Sequence, residues 1–196
     1  MTRSVMTDSS PAHNFNFNIE APDGDIASPL RHTFMHDLAR EGDLLSAEVV
    51  FDVGGAIDKP NDEGRRPLHE AAFFGHLDMV RFLLECGAAI NAPIQPFGHT
   101  ALYLAAQQSR YEVVQYLIKR GASLGAADTL LGTGLLHIAA AKNDMRLAGL
   151  LIAAGIDVFR ENYKGHTARD TAARAGNRAL ENVLLKVMAH RAMYVG

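Results

Sequence analysis

The chain has 196 residues and a mass of 21.2 kDa, with 48% apolar and 21% charged residues, so it has the composition of a globular protein rather than of a wholly disordered one. Lys and Arg total 19 against 22 Asp and Glu; four of those acids but only Arg3 among the bases fall in residues 1–30, so the rest is balanced and lacks the basic excess of a nucleic-acid binder. Cys86 is the only cysteine, which excludes an intramolecular disulfide framework and a cysteine-based zinc cluster, and no apolar run approaches a membrane span.

Residues 1–30 carry Ser4, Ser9, Ser10, Pro11, Pro22, Gly24 and Pro29 among scattered polar groups. Such a composition predicts an N-terminal arm, disordered or loosely docked. One stretch stands out within it: Phe15, Phe17 and Ile19 alternate with Asn16 and Asn18, a pattern suited to a short strand or to docking on the body. The arm also lacks the apolar segment of a secretory signal, so the expected setting is cytoplasmic, with a secreted effector as the alternative.

From about residue 31 the sequence repeats. The segments beginning at Thr33, Arg66, Thr100, Gly134 and Thr167 align so that their fourth residues, His36, His69, Tyr103, His137 and Asp170, stand 33, 34, 34 and 33 positions apart. Small pairs keep the step at Ala71-Ala72, Ala105-Ala106, Ala139-Ala140 and Ala172-Ala173, with Leu38-Ala39 in the first unit. A turn residue follows at Gly42, Gly75, Ser109, Asn143 and Gly176, and a second glycine closes the next apolar run at Gly54, Gly87, Gly121 and Gly155. Several registers sharing one period mark an array of structural units.

These units resemble ankyrin repeats, most clearly from Arg66-Pro67-Leu68-His69-Glu70-Ala71-Ala72 through Gly75-His76 and Leu83-Leu84 to Gly87 and Asn91. The resemblance covers residues 33–196 in about five units, at roughly 31–64, 65–98, 99–132, 133–165 and 166–196. It implies an all-α solenoid of stacked helix-turn-helix units, each joined to the next by a hairpin-like loop. The residues support that geometry independently. Pro67 suits a first helical turn, and Gly42, Gly75, Asn143 and Gly176 suit a left-handed helix end, where Ser109 is the poor fit and predicts a different turn. Leu77/Val80/Leu83/Leu84 and Tyr111/Val114/Leu117/Ile118 each place one apolar stripe on a helix. Arg178 and Glu181 in the last unit, and Arg40 and Glu41 in the first, predict polar caps at both ends.

Nine histidines invite a metal or catalytic reading. His36, His69 and His137 share one repeat position, for which the resemblance implies a structural hydrogen bond to the neighbouring loop; a repeat apart, they are too distant to share an ion. His13, His32 and His190 are scattered near the ends. His69-Glu70 lacks the second histidine of a zinc-protease helix, Gly132 and Gly134 lack a phosphate-loop lysine, and Cys86 has no His or Asp in a recognisable order. An enzyme would have to use loop residues such as His99, Asp128 or His166, for which the sequence supports no mutual geometry.

Recognition remains. In proteins of the resembled family, partners meet the loop tips and the exposed ends of the first helices, which here carry Phe73, Phe74, Gln107, Gln108 and Lys142, and Arg65, Phe97, His99, Leu130, Leu131, Tyr163, Lys164 and His166. Clustered apolar groups rimmed by charge are the usual mark of a binding site. The sequence therefore predicts a non-enzymatic protein-binding module, an adaptor or inhibitor. The alternative is a bacterial effector or toxin-immunity protein using the same surface. The expected partner is another protein rather than a nucleic acid or membrane, with no cofactor or metal and a monomeric free state.

Overall fold

The computed structural model describes residues 27–193 apart from Ala127 and Thr129, with only the backbone at 27–33. The arm with its Phe15–Ile19 alternation and His13 lies outside the described residues, as does the side chain of His32. Ten helices occur among the described residues: α1 (Ala27–Glu41), α2 (Leu44–Asp52), α3 (Pro67–Phe74), α4 (Leu77–Glu85), α5 (Ala101–Gln107), α6 (Tyr111–Lys119), α7 (Leu135–Lys142), α8 (Met145–Ala153), α9 (Ala168–Arg174) and α10 (Arg178–Ala192). They pair within units, and the units stack: α1, α3, α5, α7 and α9 form one row and α2, α4, α6 and α8 a second, with α10 closing the array on α9. The helix α1 begins at Ala27, inside the stretch that composition assigns to the arm.

The first helices of the inner units are buried almost all round. Leu68, Ala71 and Ala72 of α3, Ala101 to Ala106 of α5 and Leu135 to Ala140 of α7 are each less than a tenth exposed. A seven- or eight-residue helix is too short to stand alone, so packing on both neighbours supplies its stability, and the alanine pairs permit the close approach. The second helices show the predicted single stripes: Val80 and Leu83, Val114 and Leu117, and Ala148 and Leu151 are at most 1% exposed.

Each turn between paired helices passes through a left-handed residue. At Gly75, with φ at 90°, an added Cβ would sit 2.8 Å from Arg110 Cδ, so the next unit fills the space that glycine leaves. Ser109 overturns its expectation: it adopts φ 53° and makes the same turn as its equivalents. Its hydroxyl donates to Asp144 Oδ2 at 2.9 Å and accepts from Lys142 Nζ at 2.9 Å, so the following unit holds it in a conformation serine alone disfavours.

The last carbonyls of α1, α3, α5 and α7 each accept from a donor reaching back from the next unit. His76 Nε2 donates to Arg40 O (2.9 Å), Arg110 Nε to Phe73 O (3.1 Å) and Asn177 Nδ2 to Ala140 O (2.8 Å), all from the same repeat position. In the fourth unit that position is Asp144, which cannot donate; Lys142 Nζ takes over on Gln107 O at 2.7 Å, while Asp144 accepts from Ser109 and Tyr111.

The expected polar cap holds at the C-terminal end, where Leu180 and Leu184 are buried beneath the exposed Arg178, Asn182 and Lys186, and Leu185 is the apolar group left open among them. It fails at the N-terminal end. Arg40 does lie exposed beside Glu70, but Phe34, Leu45, Val49 and Val53 are 51–77% exposed, so that end is apolar.

Leu117→Ala, in the middle of the second row, is expected to lower stability by about 2–5 kcal/mol, against about 1 kcal/mol for loss of the back-reaching bond in Arg110→Ala. Urea unfolding of the two variants beside the wild type checks the order.

Candidate functional site

Four hairpins precede α3, α5, α7 and α9, each closed by a backbone bond: Asn61 N to Arg65 O (2.8 Å), Ile94 N to His99 O (2.8 Å), Asp128 N to Thr133 O (3.0 Å) and Asn162 N to His166 O (2.9 Å). The outer two are one residue shorter than the inner two. In them the side chains of Asn61 and Asn162 accept from the NH groups inside the turn, the local bonding that favours asparagine there. Asp128 does the same for Leu130 N and Leu131 N.

Buried histidines bind these hairpins to the helices before them. His36 Nε2 donates to Arg65 O (3.0 Å), His69 Nε2 to Ala92 O (2.9 Å) and His137 Nε2 to His166 O (2.9 Å), as the resemblance implied. His69 Nδ1 also accepts from Arg66 N at 2.9 Å, which fixes the neutral tautomer with its proton on Nε2. Burial holds the His69 imidazole down at about 4 and lowers His137 as well.

The third unit has Tyr103 at this position, and the link is made elsewhere. His99, on the hairpin, bonds Asp128 Oδ2 of the next hairpin at 3.0 Å, and its ring lies flat on Tyr103 at 4.3 Å and near Phe97 at 5.7 Å. Burial raises Asp128, but the bonds from His99, Leu131 N and Leu130 N outweigh it and leave the carboxyl below its usual value. Burial, with Asp128 nearby, pushes the Tyr103 phenol up to about 12. The structure thus joins His99 to Asp128, a geometry the sequence did not support. Both side chains are less than a fifth exposed, and the pair ties one hairpin to the next.

The sequence-predicted contact residues divide into two groups. Phe74, Phe97, Leu130, Leu131 and Tyr163 are 37%, 41%, 62%, 56% and 71% exposed. The Leu130-Leu131 and Tyr163 tips are joined directly, Tyr163 N donating to Leu131 O at 3.0 Å. Phe73 is half-buried, edge-on to Phe74 at 5.1 Å and under the Arg65 guanidinium at 5.6 Å. Lys164 and Gln107 are exposed, and Gln108 and His166 half-buried.

Arg65 and Lys142, expected among the contact residues, are also engaged within the chain. Arg65 NH1 reaches both oxygens of Glu70 at 3.3 and 3.4 Å, and Lys142 links Gln107 O to Ser109. Glu70 is 2% exposed and also lies 3.8 Å from Arg40, so these arginines offset the cost of its buried charge. The sequence missed this cluster: Glu70 sits on the first helix at a position held by Asp37, Leu104, Ile138 and Thr171 in the other units, and nothing in the repeat marks it. A shallow depression of about 410 Å³ opens between α5 and α7, lined by Tyr103, Gln107, Thr133, His137, Ile138 and Lys142. Among the described residues no three His, Cys, Asp or Glu side chains converge in a metal-binding group, and no helix is long and apolar enough to cross a membrane.

A family model of ankyrin repeats, in three copies, matches residues 35–128. The chain is 39% identical over 136 residues to the nuclear factor NF-kappa-B p105 subunit of Mus musculus, covering 68% of this chain and 14% of that one. It is 39% identical over 71 residues to a probable E3 ubiquitin-protein ligase, XBOS33, of Oryza sativa subsp. japonica (35% and 14% of the two chains). Over 68 residues it is 37% identical to ankyrin repeat and SOCS box protein 2 of Mus musculus (34% and 10%). The chain thus spans only a small part of the length of these relatives.

Because His69 is held neutral, its contribution to stability is full above its ordinary value near 6.5 and is lost as pH falls from there toward 4, where the unfolded chain binds the proton and the folded chain does not. A loss of about 2 kcal/mol is expected by pH 5, with His69→Asn showing a flatter profile. Urea midpoints measured from pH 7.5 to 5 check it; equal slopes in the two proteins would contradict it.

Proposed function

We propose that this ankyrin-repeat solenoid is a non-enzymatic protein-binding module, an adaptor or inhibitor, that holds its partner on the hairpin tips and the exposed ends of the first helices. Residues 35–128 match ankyrin repeats, and ankyrin repeats are protein-interaction modules. The observation that carries the reading is the exposure of Phe97, Leu130, Leu131 and Tyr163 on the hairpins and of Phe74 at the end of α3, in a chain that buries most side chains of α5 and α7. Aromatic groups set in well-supported surroundings are the usual anchors of an interface, and each such anchor is worth at least ~2 kcal/mol on truncation.

The support beneath these groups favours binding. Arg65 is pinned by Glu70 against Phe73, and His99 by Asp128 beside Phe97, so the tips are ordered before a partner arrives and less entropy is lost on association. The balanced charge of the body favours a protein partner over a nucleic acid. The His99–Asp128 pair supports cohesion, because it ties one hairpin to the next and the ring is stacked on Tyr103.

Tyr163→Ala and the double variant Phe73→Ser/Phe74→Ser are expected to weaken partner binding by about 30-fold or more, while Arg120→Ala on the second-helix row leaves it unchanged. Calorimetric titration of a captured partner, with circular dichroism as the folding control, reads this directly. Unchanged affinity in Tyr163→Ala and in the folded double variant, or loss confined to Arg120→Ala, would overturn the proposal.

A further inference from the structure

The first unit differs from the others on the face turned away from the stack. At the repeat position of Phe34, later units have Pro67, Ala101, Leu135 and Ala168, all buried. At the position of Val49 they have Phe82, Tyr116, Leu150 and Val183, all partly buried, with Phe82 edge-on to Phe51 of the preceding unit at 5.9 Å. Val49 therefore lies on the face that a preceding element covers elsewhere, and Phe34 at a position buried in every later unit, yet they are 60% and 51% exposed. Leu45 and Val53, 77% and 74% exposed, extend the face into one stripe at four-residue steps along and just beyond α2. Where later units carry Asp78, Glu112 and Arg146, this unit has Leu45, so the stripe is more apolar than the repeat requires.

We propose that Phe15, Phe17 and Ile19 of the same chain cover this stripe. The spacing matches: alternate residues of an extended segment repeat every ~6.7 Å, and four-residue steps on a helix every ~6 Å, so three side chains can meet Leu45, Val49 and Val53 in register. The reach is ample. Seven residues, and so eight Cα–Cα steps, separate Ile19 from Ala27, a span of up to ~28 Å, against ~13 Å for the length of α2. The chain also enters at the right place, because α2 runs back along α1 from the turn at Gly42 and brings Val53 toward the early part of α1. Charge favours this segment over a second copy of the protein. Glu48 and Asp52 flank the stripe; the stretch from Phe15 to Ile19 carries no charge and brings only Glu20 beside it, whereas two copies packed face to face would bring both sets of carboxylates together. The arm thus acts as the missing cap of the first unit.

The test compares the full chain with its Phe15→Ser/Phe17→Ser/Ile19→Ser variant by hydrogen exchange and sedimentation. The amides of residues 47–53 are expected to exchange about tenfold faster in the variant, with those of α6 unchanged and both proteins sedimenting alike. Equal exchange in α2, or a wild-type dimer that Val49→Asp dissociates and the arm variant does not, would overturn the proposal. A second measurement guards against a general loosening of the fold. In the full chain carrying Cys86→Ser, the pair Phe17→Cys/Val49→Cys is expected to form an intramolecular disulfide, and Phe17→Cys/Leu150→Cys is not. Equal yields from the two pairs would also overturn it.

Discussion

A helical hairpin of about thirty residues has one apolar stripe on its second helix and a first helix too short to hold itself together, so it must be covered on both sides by its neighbours. That requirement explains most of this molecule. It places Leu83, Leu117 and Leu151 in a continuous core, and it puts alanines where first helices meet. It also leaves a recurrent polar problem, because the ends of short helices carry unpaired carbonyls at every junction. Backward bonds from His76, Arg110, Lys142 and Asn177 answer it, while forward bonds from His36, His69 and His137 tie the hairpins and loops to the helices before them, so the polar links follow the same period as the apolar ones.

The surface follows from what stacking does not use. Side chains at hairpin tips and at the ends of first helices take no part in covering a neighbour, and they are free to differ between units. Here they are largely apolar, and the residues beneath them are unusually well tied. Arg65 on Glu70 and His99 on Asp128 are both hairpin-borne links, one to the following helix and one to the following hairpin. In the proposed reading these tied tips, with Phe97, Leu131 and Tyr163 exposed on them, are the binding surface, and a surface ordered before association loses less entropy on binding.

The array was legible in the sequence because every unit must solve the same burial problem, and the solution recurs at fixed steps. Gly75 and Asn143 could be placed from spacing and residue type, and the resemblance supplied the structural role of His69 and His137. Ser109 could not: its left-handed backbone depends on Asp144 and Lys142, more than thirty residues away, and serine by itself argues against that conformation. The His99–Asp128 link was hidden for a related reason. Tyr103 breaks the histidine pattern, and its replacement lies on a different element of the unit. Exposure was the least legible quantity. Phe73 and Phe74 are adjacent on one short helix, and only the packing of Arg65 and Arg110 around them settles that one is half-buried and the other open. The apolar N-terminal face runs against the polar Arg40 and Glu41 of α1, because Leu45, Val49 and Val53 stand along and just beyond α2 of the same unit.

The most direct measurement of the central claim is a hydrogen-exchange footprint of a bound partner on the whole chain. Protection concentrated at residues 73–74, 97–99, 130–133 and 163–166, with α4, α6 and α8 unaffected on their outer sides, is the expected result. A footprint confined to the second-helix row, with the hairpin tips exchanging as freely as in the unbound protein, would contradict it.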